Sequence, residues 1–320
     1  MATTTVAADR PAWRTAPDPA VLAWAAAAVG PNARVRSVRP LGGGIAQATE
    51  ALTIDDAAGV RHRLVLQRWI RPGWETDDPG FDPAKEAAVL GRLESTPIPA
   101  PPLVAVDPDG SQAGVPALLT VRLPGRRPTV ARVARAATLE TLGSMLAAIH
   151  RVGTDLVGDQ VLRAVVPRYE PFGDLARPVI PTATRRPDLW REALAIAGST
   201  APRAAPAILI HRDYHAWNTL WVADRLTGVV DWTSASWGPP AADLAHLRVD
   251  LVVDVSVAAA VTARAAFVAA GGDLANARHH QMRTVFDYLT DRDAAVIDTA
   301  AAARLDAFLA VVLQEPDQTG

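Results

Sequence analysis

The chain has 320 residues, of which 49% are hydrophobic and 21% are charged, and this balance excludes wholesale disorder. The formal net charge of −2 gives no support for nucleic acid as a partner, and the lack of cysteine excludes disulfides and thiolate metal sites. No apolar run is long enough to cross a bilayer, and the N-terminus lacks the pattern of a signal peptide. We therefore expect a cytoplasmic protein without a membrane partner, and the sequence leaves its oligomeric state open.

The first third of the chain predicts one helix followed by a small antiparallel sheet. The helix begins at Asp18 and ends at Gly30, as capping residues indicate. Alternating apolar positions then predict strands, and residues 55–59, "DDAAG", have the composition of a hairpin turn. A second helix is predicted from Pro83, and two more strands follow it before Gly125.

The pattern of apolar residues changes from strand-like to helix-like at Arg126. Apolar residues at helical spacing predict one long helix over residues 129–153, and further helices fill most of the chain after residue 232. The sequence thus predicts an α+β fold in two parts. Residues 1–125 form an antiparallel sheet with one inserted helix, and residues 126–320 form a larger, mainly helical part.

Residues 208–232, "ILIHRDYHAWNTLWVADRLTGVVDW", combine polar and apolar residues in a way that suggests chemistry. Short apolar runs predict buried strands, and the polar residues lie at the ends of these strands or in the tight loop between them. Asp213, Asn218 and Asp231 would there present oxygen atoms and no soft ligands. Oxygen-only ligation suits Mg²⁺, which binds through one or two protein groups together with substrate phosphates.

This stretch resembles the catalytic segment of the aminoglycoside phosphotransferase family of small-molecule kinases. "HRDYHAWN" fits the pattern H-R-D-x-x-x-x-N, Asp231 follows at the spacing of the metal-binding aspartate, and "GPPAADLAHLR" fits the sequence downstream of it. The resemblance implies a two-lobed, protein-kinase-like fold. It also implies that Asp213 is the catalytic base or hydroxyl-orienting group, and that Asn218 and Asp231 hold Mg²⁺. Asp243 would accept backbone hydrogen bonds from the catalytic loop.

The resemblance extends over nearly the whole chain and implies a nucleotide site in residues 1–125. Gly42, Gly43 and Gly44 lie where the family has its phosphate-covering glycine loop, and "RLVLQRW" matches the strand that ends in a phosphate-pairing cation. Glu86 matches the acid that pairs with this cation. Thr120 and Arg122 lie in "ALLTVRLPG", which resembles the hinge whose backbone holds adenine. ATP is the implied phosphoryl donor, with GTP as the alternative.

Two positions depart from the family pattern. The glycine loop has Gln47 at its third glycine position, and the strand places Gln67 where a lysine or arginine is expected. Arg68 is the neighbouring cation, and it could pair with Glu86 only if the strand bulges, because a one-residue shift turns a side chain to the opposite face of the sheet. Strand register favours Gln67 and charge favours Arg68, and between the two we slightly favour Arg68.

The residues also leave two other functions open. Gln47 and Gln67 would suit a non-catalytic or weakly active nucleotide-binding homologue of the kinases. Alternatively, a metal-dependent hydrolase could use histidine and aspartate side chains of the C-terminal part to activate water. The candidates for such a mixed site are His211, Asp213, His215, Asp231 and His246.

The phosphoryl acceptor is expected to be a small molecule with a hydroxyl group. Between Asp231 and Asp243 lies a segment too short for the activation loop with which protein kinases support a peptide. The expected acceptor site consists of the C-terminal helices and residues 168–187. A cationic acceptor would need acidic side chains around it, whereas a flatter or more apolar acceptor would need aromatic side chains. The candidate residues are Asp250, Asp254, Asp287, Asp291 and Asp293 for the first, and Trp190, Trp232 and Trp237 for the second.

Overall fold

The computed structural model of the protein describes residues 11–42, 47–77, 80–171, 173–199, 206–290 and 297–315. Contacts divide the chain into two compact units. The N-terminal unit contains residues 1–95 and 101–122, and the C-terminal unit contains residues 96–100 and 123–320. Among the helices of the described ranges, none is both long and apolar enough to cross a membrane.

The N-terminal unit is an antiparallel sheet with three helices, as the sequence predicts in outline. Five strands pair in the order β1-β2-β3-β5-β4. The elements in chain order are α1 (Pro19–Val29), β1 (Arg34–Leu41), β2 (Gln47–Asp55), β3 (Arg61–Trp69), α2 (Trp74–Asp77), α3 (Pro83–Leu93), β4 (Leu103–Asp107) and β5 (Ala117–Val121).

Local side chains set the ends of these elements. The carboxylate of Asp18 accepts the backbone N–H of Ala20 and caps α1, as predicted. Asp56 closes the predicted turn between β2 and β3, because its Oδ1 accepts the N–H groups of Ala58 and Val60. The helix predicted from Pro83 also forms where the sequence indicates it.

The core of the N-terminal unit lies between α1 and one face of the sheet. Val21 and Ala25 of α1 pack on apolar residues of β2, β3 and β5, including Leu66 and Leu119. Arg68 lies on this same face, because it follows Leu66 by two residues in an unbroken β2–β3 register. Its guanidinium is therefore buried, and it pairs with Glu50: Nε lies 3.1 Å from Oε2, and Nη2 lies 2.5 Å from Oε1.

The C-terminal unit is mainly helical, as predicted, with two short sheets. Sheet β6–β9 and sheet β7–β8 are both antiparallel. The elements are α4 (Val130–Val133), α5 (Ala136–Asp155), α6 (Gln160–Val165), α7 (Pro187–Gly198), β6 (Ile208–Ile210), β7 (Thr219–Val222), β8 (Arg225–Val229), β9 (Ser236–Gly238), α8 (Pro240–Asp254), α9 (Val257–Ala269), α10 (Ala277–Thr290) and α11 (Thr299–Gln314).

The single long helix predicted over residues 129–153 is wrong at its start. The helix breaks into α4 and α5 at Arg135, whose φ of −78° and ψ of 133° are extended. Arg132 of α4 and Arg135 at the break both bind the exposed carboxylate of Asp224. No glycine or proline marks the break, so the helical pattern alone could not reveal it.

Close backbone contacts hold α5 against its neighbours in the C-terminal unit. A Cβ atom at Gly153 would lie 2.1 Å from the carbonyl oxygen of Leu209 in β6, and one at Gly143 would lie 2.3 Å from the carbonyl oxygen of Ala263 in α9. Only glycine permits both contacts. Helix α5 thereby brings His150 up to the end of β6, where the predicted catalytic residues begin.

We predict that Arg68 is a structural residue whose loss destabilises the protein. Arg68→Met would leave the buried carboxylate of Glu50 without a partner, at a cost of about 3–5 kcal/mol in the free energy of unfolding. Chemical denaturation would measure this, with Arg36→Met as the matched control. Arg36 pairs with Asp55 in the same sheet, but it is 55% exposed, so its loss should cost at most about 1 kcal/mol. Equal effects of the two substitutions would contradict the structural role.

We also predict that His280 of α10 makes the protein less stable in acid. Burial and the neighbouring His279 lower the pKa of His280 to about 4, whereas an unfolded histidine titrates near about 6.5. The unfolded chain therefore takes up more protons, and stability is lost as the pH falls from about 6.5 to about 4. His280→Leu should remove about 2–3 kcal/mol of the difference in unfolding free energy between pH 7 and pH 4.5. An unchanged difference in urea denaturation would refute this assignment.

Candidate active site

The loop from His211 to Asn218, here called the catalytic loop, is held by one buried carboxylate. Asp243 of α8 is fully buried, and its oxygens accept the backbone N–H groups of His211 at 2.9 Å and Arg212 at 2.6 Å. The ring of His150 contacts the same carboxylate at 3.1 Å. Asp243 is thus the structural acceptor that the sequence predicts. His150 is a buried histidine with a hydrogen bond to this carboxylate.

The side chain of His211 packs in the core next to the catalytic loop. Its ring is fully buried, its Nε2 lies 3.2 Å from the carbonyl oxygen of Val230, and it packs against the ring of Trp232 with 4.5 Å between centroids. Burial lowers the pKa of His211, so the ring is neutral at physiological pH. These contacts fit a scaffold role and leave His211 out of the chemistry.

Asp213 lies in the loop with nitrogen atoms on both sides of its carboxylate. The amide Nδ2 of Asn218 donates to Oδ2 at 2.9 Å and to the backbone oxygen of Asp213 at 3.0 Å. On the other side, Nε2 of His246 lies 3.0 Å from Oδ1, and Nε2 of His215 lies 3.6 Å from it. The carboxylate is partly exposed, so a hydroxyl group can reach it.

The histidines keep Asp213 ionised. Burial alone would raise the pKa of Asp213, but the hydrogen-bonding and charge interactions with His215 and His246 outweigh burial and hold it well below its usual value. The pKa of His246 is likewise lowered by burial but raised more strongly by Asp213 and Asp250, so it ends well above its usual value. Asp213 is therefore a carboxylate over the whole physiological pH range, better suited to orient a hydroxyl group than to act as a strong base.

Asn218 and Asp231 present oxygen atoms that suit a hard cation. Because the Asn218 amide nitrogen is used by Asp213, its oxygen Oδ1 is left over, and it accepts no hydrogen bond from the described residues. Asp231 follows β8 with a φ of 68°, a left-handed conformation that aspartate tolerates better than most residues. Burial and then the charge of Asp213 raise the pKa of Asp231. A divalent cation would offset both effects, so the residues present fit Mg²⁺.

Asp213, His215 and His246 also come close enough together for a shared metal ion, as the hydrolase alternative requires. One hydrogen bond argues against that use. Nδ1 of His215 accepts the backbone N–H of Trp217 at 3.2 Å, so the proton of this imidazole lies on Nε2. Nε2 points at Asp213 and therefore cannot offer a lone pair to a metal ion there. His211 and Asp231, the other residues of that alternative, are not part of the cluster.

In the N-terminal unit, Gln67 and Thr120 share one face of the sheet. Gln67 pairs with Leu118 and Val65 with Thr120 in a regular β3–β5 register, which turns both side chains away from α1. Gln67 is nearly buried, and within the described residues its amide makes no hydrogen bond. Arg122 follows β5 and is exposed, and Glu86 is buried in the first turn of α3.

The glycine loop is only partly within the described residues. Gly42 is exposed and directly follows β1, whereas Gly43 and Gly44 lie outside the described ranges. The slight preference for Arg68 as the partner of Glu86 is wrong. The strand does not bulge, so Arg68 lies on the α1 face, where Glu50 and the backbone oxygen of Thr15 bind its guanidinium. Gln67 keeps the position that the register assigns to it.

Residues 167–187, which include the stretch expected to bind the acceptor, are anchored to the C-terminal unit. Tyr169 and Pro167 exchange backbone hydrogen bonds with Trp237 of β9, and the guanidinium of Arg212 binds the backbone oxygen of Glu170. Farther along, carboxylates of α10 and α11 accept hydrogen bonds from this stretch. The pairs are Gly173 N–H with Asp287, and Thr184 Oγ1 and Arg185 N–H with Asp306.

Two of the acids proposed for the acceptor already accept hydrogen bonds within the C-terminal unit. Asp287 binds Gly173 and Arg283, and Asp254 accepts the indole N–H of Trp217 at 2.7 Å, while Asp291 and Asp293 lie outside the described residues. The predicted aromatic platform is wrong, because its three indole rings are core residues with at most 3% exposure. These are Trp190, Trp232 and Trp237.

Two residues of α8 lie beside Asp213, and their pairing with each other and with this carboxylate was not predicted from the sequence. The sequence suggests His246 only as a ligand of the hydrolase alternative, and Asp250 only as an acid for a cationic acceptor. They lie four residues apart on α8, and Nε2 of His246 is 3.3 Å from Oδ2 of Asp250. The i, i+4 spacing in "HLRVD" was the available signal, but it does not reveal which loop packs on that face of the helix.

Comparison with known proteins agrees with this fold. The model of the phosphotransferase enzyme family (APH) matches residues 37–283. No curated protein sequence matches the chain. Several solved structures resemble it over most of their length. The macrolide 2'-phosphotransferase MphH from Brachybacterium faecium, an apoenzyme, has 22% identity and a TM-score of 0.57, with 93% of this chain and 99% of that one covered.

Two aminoglycoside phosphotransferases resemble this chain about as closely as that macrolide phosphotransferase does. APH(2")-IIIa in complex with GDP and kanamycin has 16% identity and a TM-score of 0.59, with coverage of 88% and 95%. A thermostable mutant of APH(4)-Ia in a ternary complex with ADP and hygromycin B has 18% identity and a TM-score of 0.56, with coverage of 89% and 95%. At these identities the likeness concerns the fold, which is the protein-kinase-like one that the sequence predicts.

Proposed function

Because the chain belongs to the phosphotransferase enzyme family (APH), we propose that it transfers the γ-phosphoryl group of ATP to a hydroxyl group of a small molecule. The observation that carries this proposal is the composition of the catalytic loop. It combines an ionised, accessible carboxylate at Asp213 with an amide oxygen of Asn218 that is left free for a cation. Phosphoryl transfer depends on positioning and charge more than on covalent help from the protein, and this loop supplies both.

In the proposed reaction, Asp213 orients the acceptor hydroxyl group by accepting its hydrogen bond. The hydroxyl oxygen bonds to the γ-phosphorus while the bond from that phosphorus to the bridging oxygen of ADP breaks. The hydroxyl proton passes to the Asp213 carboxylate, and ADP leaves with the electron pair. A weakly basic carboxylate is adequate here, because the proton becomes acidic only as the new bond forms in a loose transition state.

Asn218 and Asp231 are the proposed metal ligands. Mg²⁺ bound there would neutralise charge on the phosphates as the γ-phosphoryl group moves. The nucleotide-binding residues are proposed from their match to the family pattern. They are Gly42, Gly43, Gly44, Gln67, Glu86, Thr120 and Arg122. Gln67 replaces Arg68 as the favoured residue of β3, since the guanidinium of Arg68 already binds Glu50.

The proposed function predicts distinct effects at the catalytic and metal positions. Asp213→Ala should abolish most turnover while ATP binding persists, because the residue contacts the acceptor and not the nucleotide. Asp231→Asn should instead weaken Mg²⁺-dependent ATP binding, because a neutral amide replaces a charged ligand of the same shape. Calorimetry with ATP at several Mg²⁺ concentrations and an assay of ADP release would measure both.

Asp224→Asn is the matched control, since Asp224 is a highly exposed acid of the same unit. It should change neither quantity. Near-normal turnover in folded Asp213→Ala would rule out the role of Asp213, and unchanged Mg²⁺ dependence in Asp231→Asn would rule out that residue as a ligand. ATP binding without ADP release under any condition would favour the non-catalytic alternative.

The acceptor should be sought with a panel that includes kanamycin, hygromycin B and a macrolide, each with ATP and with GTP. These compounds represent the substrate classes of the structurally similar enzymes. The proposed acceptor surface comprises the exposed part of Asp213, the C-terminal helices and residues 168–187. Phosphorylated product, identified by mass spectrometry, would establish the reaction.

We predict that Gln67→Lys improves the use of ATP. A lysine at this position would restore the cation that the family places there, and a charge-assisted hydrogen bond contributes about 1.5–3 kcal/mol. The KM for ATP should fall by about tenfold or more at an unchanged kcat. Arg68→Met serves as the comparison and should leave the KM for ATP unchanged at a temperature where it is folded. A change in KM only for Arg68→Met would reverse the assignment of the two residues.

A further inference from the structure

One face of α8 lies against the catalytic loop along two helical turns. Two residues of α8, eight positions apart, meet three alternate residues of the loop. Asp213 contacts His246, the rings of His215 and His246 lie 5.9 Å apart, and Asp254 accepts the indole N–H of Trp217. Asp250 lies between His246 and Asp254 on this face. Helix α8 therefore contributes polar side chains next to the catalytic aspartate, in addition to Asp243 beneath it.

His246 is held between two carboxylates by a single nitrogen atom. Its Nε2 lies 3.0 Å from Oδ1 of Asp213 and 3.3 Å from Oδ2 of Asp250. A nitrogen in that position must carry its proton, since a lone pair would face two anions. Within the described residues, Oδ2 of Asp250 is buried and lies 3.3 Å from Nε2 of His246, so Asp250 stabilises the protonated ring. The other titratable group facing the ring among these residues is His215.

We propose that His246 is a positioning residue whose imidazolium, kept charged by Asp250, fixes the carboxylate of Asp213 for phosphoryl transfer. The inference rests on the proposed function of Asp213. Asn218 restrains Oδ2 of that carboxylate, and at Oδ1 the contact with His246, at 3.0 Å, is shorter than the contact with His215, at 3.6 Å. Without His246, only the longer contact with His215 restrains Oδ1, and the carboxylate faces the charge of Asp250 unscreened.

Turnover of variants at position 246 tests the positioning role. The assay is ADP release from MgATP in water, which needs no identified acceptor. His246→Leu removes the nitrogen, so kcat should fall by up to about 100-fold, as for a displaced reacting group, while the KM for ATP stays within about twofold. His246→Gln offers an amide N–H of similar reach and should recover a substantial part of kcat. A merely structural role would instead lower the thermal midpoint of both variants without this rescue.

The charge of His246 is tested independently by NMR of ¹⁵N-histidine-labelled full-length protein. The resonance that disappears in His246→Gln should show a doubly protonated ring at pH 7.5, where a free histidine is neutral. Asp250→Asn should lower its titration midpoint by about one pH unit or more. Asp254→Asn, the control one turn farther along α8, should leave the midpoint unchanged.

The two experiments separate failure of this proposal from failure of the proposed function. If His246→Leu turns over ATP at the wild-type rate while Asp213→Ala is inactive, the positioning role of His246 is wrong and the proposed phosphotransferase function still holds. A neutral His246 at pH 7.5, or an unchanged titration midpoint in Asp250→Asn, would contradict the claim that Asp250 keeps His246 charged, whatever the activity. If the wild type releases no ADP, the proposed function is in doubt, and the NMR result still decides whether Asp250 holds His246 charged next to Asp213.

Discussion

The carboxylate of Asp243 fixes the geometry on which the candidate active site depends. It is one of the first residues of α8, and it binds two successive backbone N–H groups of the catalytic loop as well as the ring of His150. The loop is thereby fastened to α5 and α8, two long helices that also carry much of the core of the C-terminal unit. An irregular loop with Arg212 in a left-handed conformation is stable only when such contacts determine its path. Precision in the position of Asp213 then follows from the rigidity of helices and not from the loop itself.

Arginine residues of this protein are used to hold structure together more than to meet a ligand. Arg68 closes the core of the N-terminal unit with Glu50, and Arg248 is buried against Glu315 near the end of the described chain. Around Asp213 the positive charge comes from histidine instead. The charge of an imidazole depends on its neighbours, whereas that of a guanidinium does not, so the acids of α8 control the charge next to the catalytic carboxylate.

Much of the fold could be predicted from sequence, because strand alternation, capping residues and helix spacing are local signals. The catalytic loop, its metal-binding candidates and the role of Asp243 could be predicted because their order along the chain is characteristic. Contacts between distant segments could not. The break before α5 has no local signal, the position of Arg68 depends on Glu50, and the pairing of His246 with Asp213 depends on how α8 packs. The burial of three tryptophans could not be predicted either, because aromatic residues suit a core and a ligand surface alike. These are Trp190, Trp232 and Trp237.

The anchoring of Arg212 connects the catalytic loop with a segment that is 42 residues away in the chain. Here the guanidinium already binds the backbone oxygen of Glu170 and lies over the ring of Tyr169, in a segment that is paired with β9. The arginine therefore joins the catalytic loop to the segment that follows Val166. Because Arg212 directly precedes Asp213, any change in the path of that segment would also act on the position of the carboxylate.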